Sequence, residues 1–232
     1  MIPKKIHYCW FGGNPKPKSV QKCIASWKRH CPDFEIIEWN EDNFDINMNG
    51  YTKMCHRENK YAFLSDYVRL LMVEQQGGVY FDTDVEVVKP IDKLLEYDAF
   101  YCFETPDFVA TGLGFGSVAH SKGIRAMLAE YDQLLDGNKG VIGCPGLNTL
   151  ALEKLGLQKN GQRQELDGEI VLPSEYMNPF DPTTGIMRKT ENTVSIHWYS
   201  AAWLSPWRRL RVKLMRPLHR IFGVEAFERF RK

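Results

Sequence analysis

Residues 77–88 read GGVYFDTDVEVV, two glycines and then a β-branched and aromatic run that contains two aspartates and a glutamate. Strand residues two apart share a face. The alternation places Val79, Phe81, Thr83, Val85 and Val87 on one side and Tyr80, Asp82, Asp84 and Glu86 on the other. The first set reads as core. The second crowds three potential anions onto one surface, where like charges repel. A hard divalent cation is the group that would relieve them.

The segment just upstream, 60–76, has the strongest helical period in the chain. Leu64, Tyr67, Val68, Leu71 and Met72 form its apolar stripe, and Gly77-Gly78 supply the stop. Asp66 and Arg69 are three apart on this helix and face the same way. They read either as a surface ion pair worth about 0–1 kcal/mol or as a carboxylate and a planar donor fork for a polyhydroxylated ligand.

Further out, KKIHYCWF (4–11) predicts a first strand, closed by the loop GGNPKPK, and FEIIEW (34–39) a second. Residues 18–30, 121–135 and 146–155 have helical spacing, while AFYCFE (99–104) and VSIHWY (194–199) read as strands. Strands alternating with helices predict an α/β domain with a mostly parallel central sheet. Ligands of such sheets sit beyond the carboxyl ends of the strands. Trp10 and the Asp82/Asp84 pair occupy late positions of their strands. No repeat or low-complexity tract interrupts the chain.

The 232 residues, 44% of them hydrophobic, suffice for one sizeable core. No apolar run reaches the roughly eighteen residues of a membrane-crossing helix, and MIPKKIHYCW lacks the apolar stretch of a secretory signal. Cys9, Cys23, Cys31, Cys55, Cys102 and Cys144 form no C-x-x-C pair, so free thiols in a reducing cytosol are expected. The net charge of +1 hides an asymmetry. Residues 204–232 hold nine Lys/Arg against two Asp/Glu, and the remainder 21 against 27. An acidic body with a basic tail argues against a general nucleic-acid binder.

In the tail, Trp207, Leu210, Leu214, Leu218, Ile221 and Phe222 recur at helical spacing with arginines between them, and Pro217 should break or kink the helix. This reads as a basic amphipathic helix on an anionic membrane surface, or else as a terminal helix docked on the body. His197, in SIHWYSAAW, is the best neutral metal ligand from a distant segment. Ser200 and Trp203 follow it with hydroxyl and indole donors suited to phosphate oxygens.

Together, IPKKIHYCWFGG, LSDYVRLLMVEQQGGVYFDTDV and HWYSAAW resemble the DXD-containing glycosyltransferase family 32, with its capsular-polysaccharide and initiating mannosyltransferases, and are similar to clostridial toxin glucosyltransferase domains. The resemblance implies a GT-A fold over residues 1–203, a nucleotide-diphosphate sugar donor and Mn²⁺ or Mg²⁺. By position it implies Trp10 stacked on the nucleobase, Tyr80 in the pocket, Asp66 and Arg69 on the donor sugar, and Asp82 and Asp84 at the metal. It further implies His197 completing the metal site, with Ser200 and Trp203 on the β-phosphate.

The expected activity is retaining hexosyl transfer, with a UDP-linked donor favoured and the leaving phosphate assisting front-face attack. The acceptor is a saccharide, possibly polyprenyl-linked, in bacterial capsule or exopolysaccharide synthesis at the inner face of the cell membrane. Two rivals remain. A haloacid-dehalogenase-type phosphatase also uses D-x-D with Mg²⁺, but wants Thr or Val where Glu86 stands. A non-catalytic module would bind nucleotide sugar or membrane without turnover.

Overall fold

The structure, a computed structural model, describes residues 1–200 and 206–223. In chain order the elements are β1 (Lys5–Cys9), α1 (Lys18–His30), β2 (Glu35–Trp39), α2 (Gly50–Arg57), α3 (Tyr61–Gln76), β3 (Gly78–Tyr80) and β4 (Val85–Val87). Then come β5 (Ala99–Thr105), β6 (Phe108–Val109), β7 (Phe115–Ser117), α4 (Lys122–Tyr131), α5 (Cys144–Glu153), β8 (Gln164–Leu166), β9 (Glu169–Leu172), β10 (Ser195–His197) and α6 (Pro206–Phe222).

The main sheet runs β2-β1-β3-β7-β5-β9-β8, with β6 paired to β5. β1 is parallel to β2 and β3, and β5 to β9, but β7 lies antiparallel to both its neighbours. The sheet is therefore mixed rather than mostly parallel. The short β6, β7, β8 and β9 are not expected from the sequence, because two to four residues are too few to establish a period, and neither is the eight-residue α2.

Each face of the sheet carries its own core. On one, α2 to α5 bury Tyr51, Leu64, Val68, Tyr101, Phe103, Phe115 and Leu152. On the other, Trp27 of α1 joins Ile6, Val79, Phe81, Phe100 and Cys102.

The run 77–88 departs from the single strand expected. β3 belongs to the main sheet, whereas β4 pairs antiparallel with β10 in a separate two-stranded sheet. Between them the chain turns, with Val85 N–H donating to Asp82 O at 2.9 Å. The break has visible causes. Trp27 Nε1 donates to Val85 O at 2.8 Å, and Val87 N–H donates to Ser26 Oγ at 2.9 Å. α1 thus satisfies the edge of β4 that β10 leaves free, and holds it off the main sheet. Val79, Phe81, Val85 and Val87 are buried as the alternation requires, but Thr83 sits half-exposed in the turn and Tyr80 is buried.

The two glycines do more than end α3. Gly78 has φ +113°, and a Cβ there would lie 2.9 Å from His7 Nε2. His7 is buried and fully used, donating from Nε2 to Gly77 O at 2.9 Å and accepting at Nδ1 from Trp39 Nε1 at 3.1 Å. Burial lowers its pKa, so this neutral tautomer bolts β1, β2 and the α3–β3 turn together.

α6 runs through Pro217 without ending, contrary to the expected break. One side is docked. Arg216 Nε donates to Pro182 O at 3.1 Å, His219 Nδ1 to Thr183 O at 3.2 Å and Arg220 Nε to Thr184 O at 2.6 Å. Arg216 also lies over the Phe180 ring, 5.3 Å from its centroid. Trp207, Arg211, Leu214 and Leu218 are exposed.

Candidate active site

Because β3 ends at Tyr80 and β4 begins at Val85, Asp82 and Asp84 sit in the intervening turn, beside His197 at the end of β10. Register brings them together, since His197 is the pairing partner of Val85. Ligand atoms of Asp82, Asp84 and His197 all lie within 4.8 Å of one another.

Asp84 is held from both sides. Its Oδ1 is 3.0 Å from His197 Nε2, and its Oδ2 accepts from Ser200 N–H at 2.7 Å. Burial pushes the Asp84 pKa up, but the His197 and Ser200 contacts override it and bring the carboxyl well below the usual range. For His197 burial disfavours the imidazolium, yet the Asp84 carboxylate raises its pKa on balance. Asp82, by contrast, is shifted upward by burial, with Arg69 opposing.

Arg69 is the hub. It is 3% exposed, not a surface residue, and its Nη2 is 2.8 Å from Asp66 Oδ1 and 3.1 Å from Asp82 Oδ1. Nε donates to Ser65 O at 3.0 Å, and the guanidinium lies over the Tyr80 ring, 4.7 Å from its centroid. Tyr80 donates its hydroxyl to Asp82 Oδ1 at 2.9 Å. It thus meets the site twice, through this hydroxyl and through the buried ring under Arg69. Burial raises Asp66 to about 6, with Arg69 pulling the other way.

Two buried atoms in this cluster have no partner among the described residues, Arg69 Nη1 and His197 Nδ1. A donor left unpaired in the interior is expensive unless something else occupies it. A Cβ on Gly112 would lie 2.6 Å from Asp82 Oδ2 and 3.1 Å from Arg69 Nη1. Gly112 thus keeps open a concavity that both groups line. Sequence reasoning missed it, because a glycine in TGLG carries no mark of what lies opposite.

Two carboxylates and an imidazole at this spacing fit a small divalent cation with oxygen preference, Mn²⁺ tolerating the nitrogen best. Such an ion would take the place of the proton shared by His197 and Asp84. Trp10 stands at the same carboxyl edge, directly after the last residue of β1, the neighbour of β3. It is half-buried, its Nε1 donating to Asn14 O at 2.6 Å and Lys16 Nζ 5.7 Å from its ring centroid. Ser200 meets the site through its backbone N–H, and Trp203 lies outside the described residues. Glu86 takes no part in the trio and accepts from Trp198 Nε1 at 2.9 Å.

Residues 17–101 match the family described as glycosyltransferase sugar-binding region containing DXD motif. Inositol phosphoceramide mannosyltransferase 3 of Schizosaccharomyces pombe is 25% identical over 123 residues, covering 49% of this chain and 33% of that protein. Subversion of eukaryotic traffic protein A of Legionella pneumophila is 26% identical over 111 residues, 36% of this chain and 17% of that protein. The chain therefore spans a third or less of these curated relatives. The solved structure of PaToxG glycosyltransferase superposes with a TM-score of 0.54 at 20% identity, over 66% of this chain and 69% of that one. The fold is GT-A, and residues 17–101 match the glycosyltransferase sugar-binding region that contains the DXD motif.

Proposed function

We propose that this chain transfers a hexose, with retention of configuration, from a nucleotide-diphosphate sugar to a saccharide acceptor, and that it needs Mn²⁺ or Mg²⁺ to do so. The observation that carries the reading is the convergence of Asp82, Asp84 and His197 beside the buried Asp66–Arg69 pair. A bound divalent ion would neutralise charge developing on the leaving diphosphate. Arg69 Nη1, a donor without a partner among the described residues, and Asp66 would hold hydroxyls of the transferred sugar. Trp10 would offer its ring to the base, and the Ser200 N–H keeps Asp84 aimed at the metal. A phosphatase of the rival type needs its first aspartate free to attack. Asp82 is instead tied to Arg69 and Tyr80.

The test is a thermal-shift panel of UDP-glucose, UDP-galactose and GDP-mannose, each with Mn²⁺ or with EDTA. At least one donor should raise the Tm in the presence of Mn²⁺ alone, because ligand binding to the native state adds stability by mass action. The sign of the pH dependence follows from the raised pKa of His197. Without metal, the stability of the His197–Asp84 pair is fully present below about pH 6.5 and is lost as pH rises through the raised value. Mn²⁺ competes with that proton, so stabilisation should be larger at pH 8 than at pH 6. No metal-dependent shift with any donor would remove the proposal.

The exposed stripe Trp207, Arg211, Leu214 and Leu218 supports a second element, a peripheral site on an anionic membrane where a lipid-linked acceptor of capsule or exopolysaccharide type would reside. The relative named for mannosyl transfer to inositol phosphoceramide, a lipid, is consistent with such an acceptor. No helix among the described residues is long and apolar enough to cross a membrane. Trp207→Ser/Leu214→Ser should abolish co-sedimentation with phosphatidylserine vesicles at low salt and leave donor binding intact. A full-length chain indifferent to such vesicles would withdraw the membrane placement.

A further inference from the structure

Beyond the metal trio and the Asp66–Arg69 pair, another carboxylate stands at the carboxyl edge of the sheet. Glu104 is the penultimate residue of β5. Ala99, Tyr101 and Phe103 face the core under α2 to α5, and Phe100 and Cys102 face the opposite one. The β5–β6 pairing is irregular between Phe103 and Thr105, so alternation does not place Glu104; its partner Tyr199 does, packing on the core of Phe100 and Cys102 rather than on the one under α2 to α5.

Glu104 is joined to the metal trio through Tyr199. The Tyr199 hydroxyl donates to Glu104 Oε1 at 2.8 Å, and its ring lies 4.0 Å, centroid to centroid, from that of His197. Tyr199 has φ +47°, a left-handed backbone that an aromatic residue adopts only when its surroundings enforce it. Asn178 Nδ2 donates to the Glu104 carbonyl at 3.0 Å, and Asn178 Oδ1 is buried with no partner among the described residues. Glu104 itself is half-buried, and its Oε2 has no hydrogen-bond partner among the described residues.

We propose that Glu104 binds the acceptor saccharide, its Oε2 accepting acceptor hydroxyls on the side of the Asp82–Asp84–His197 trio opposite the donor-sugar pair. The inference rests on the transferase reading and adds the acceptor subsite to it. An ionised carboxylate only accepts hydrogen bonds, and a sugar offers several hydroxyl donors. The same charge repels a diphosphate, which separates this position from the donor's phosphates. Holding Tyr199 in place uses one carboxylate oxygen and leaves the other for a ligand.

The test uses the full chain with Mn²⁺, whichever of UDP-glucose, UDP-galactose or GDP-mannose the wild type hydrolyses, and a panel of methyl hexosides and disaccharides as acceptors. Glu104→Gln keeps the shape and an oxygen for Tyr199. It should lower the ratio of transfer to hydrolysis at least about ten-fold, through the acceptor KM. Tyr199→Phe, which keeps the carboxylate, should change that ratio far less. If E104Q does not fold, Glu104→Asp, with the charge kept and the reach shortened, must show the same fall. Equal loss of hydrolysis and transfer in E104Q would place Glu104 in the donor or metal scaffold and overturn the acceptor role alone. So would a wild type that hydrolyses donor but glycosylates none of the saccharides. A wild type that does neither removes the transferase reading, and the acceptor role with it.

Discussion

Asp84→Asn will leave a folded chain that no longer binds nucleoside diphosphate in a Mn²⁺-dependent way, with turnover reduced on the order of 10²–10³-fold. Asn is isosteric, and its carbonyl oxygen can still accept from Ser200 N–H, so the 197–200 segment keeps its anchor. What disappears is the negative charge that raises the His197 pKa and that would draw a cation. Calorimetric titration of UDP with Mn²⁺ and with EDTA checks it. Unchanged Mn²⁺-dependent affinity in the variant would move the metal away from Asp84.

Arg69→Ala will unfold the chain more easily than any conservative change in the core. The side chain is 3% exposed and bridges two carboxylates, so its removal leaves Asp66 and Asp82 buried with no cation between them. Breaking a buried pair from one side costs about 3–5 kcal/mol, a large share of the roughly 5–15 kcal/mol that holds a domain together. For a chain of this length the Tm should fall by about 6–20 °C. Asp66→Asn in the same background should recover part of the loss, because it removes one of the two stranded charges. A Tm within about 2 °C of wild type would mean that the pair is solvated after all. Because Arg69→Ala is expected to cost stability, the proposed sugar contact is better probed through Asp66→Asn alone.

The burial of Arg69 marks the limit of what helical spacing could say. Asp66 and Arg69 were visible as neighbours on one helix face, but spacing alone could not tell a solvated face from a buried one. The difference comes from Tyr80, whose ring lies against the guanidinium, and from Gly112, whose missing side chain leaves room for it. Both are long-range facts. α3, β1, β2 and α1 were legible because each is long enough to show its period. The run 77–88 was legible in composition and misleading in shape. Its alternation predicts one strand, and only the anchoring of β4 by Ser26, Trp27 and β10 splits it. The split is what turns Asp82 and Asp84 toward His197. Glu104 and Tyr199 carried no signal at all, since a glutamate ending a strand is ordinary until its partner is known.

The proposal that this site transfers sugar is tested most directly by product. The wild-type chain, incubated with UDP-glucose, UDP-galactose and GDP-mannose in turn, is assayed for free nucleoside diphosphate with Mn²⁺, with EDTA, and as the Asp84→Asn variant. The expected result is diphosphate released from at least one donor with Mn²⁺, and none above background under the other two conditions. Release that persists in EDTA or in Asp84→Asn, or none from any donor, would contradict it.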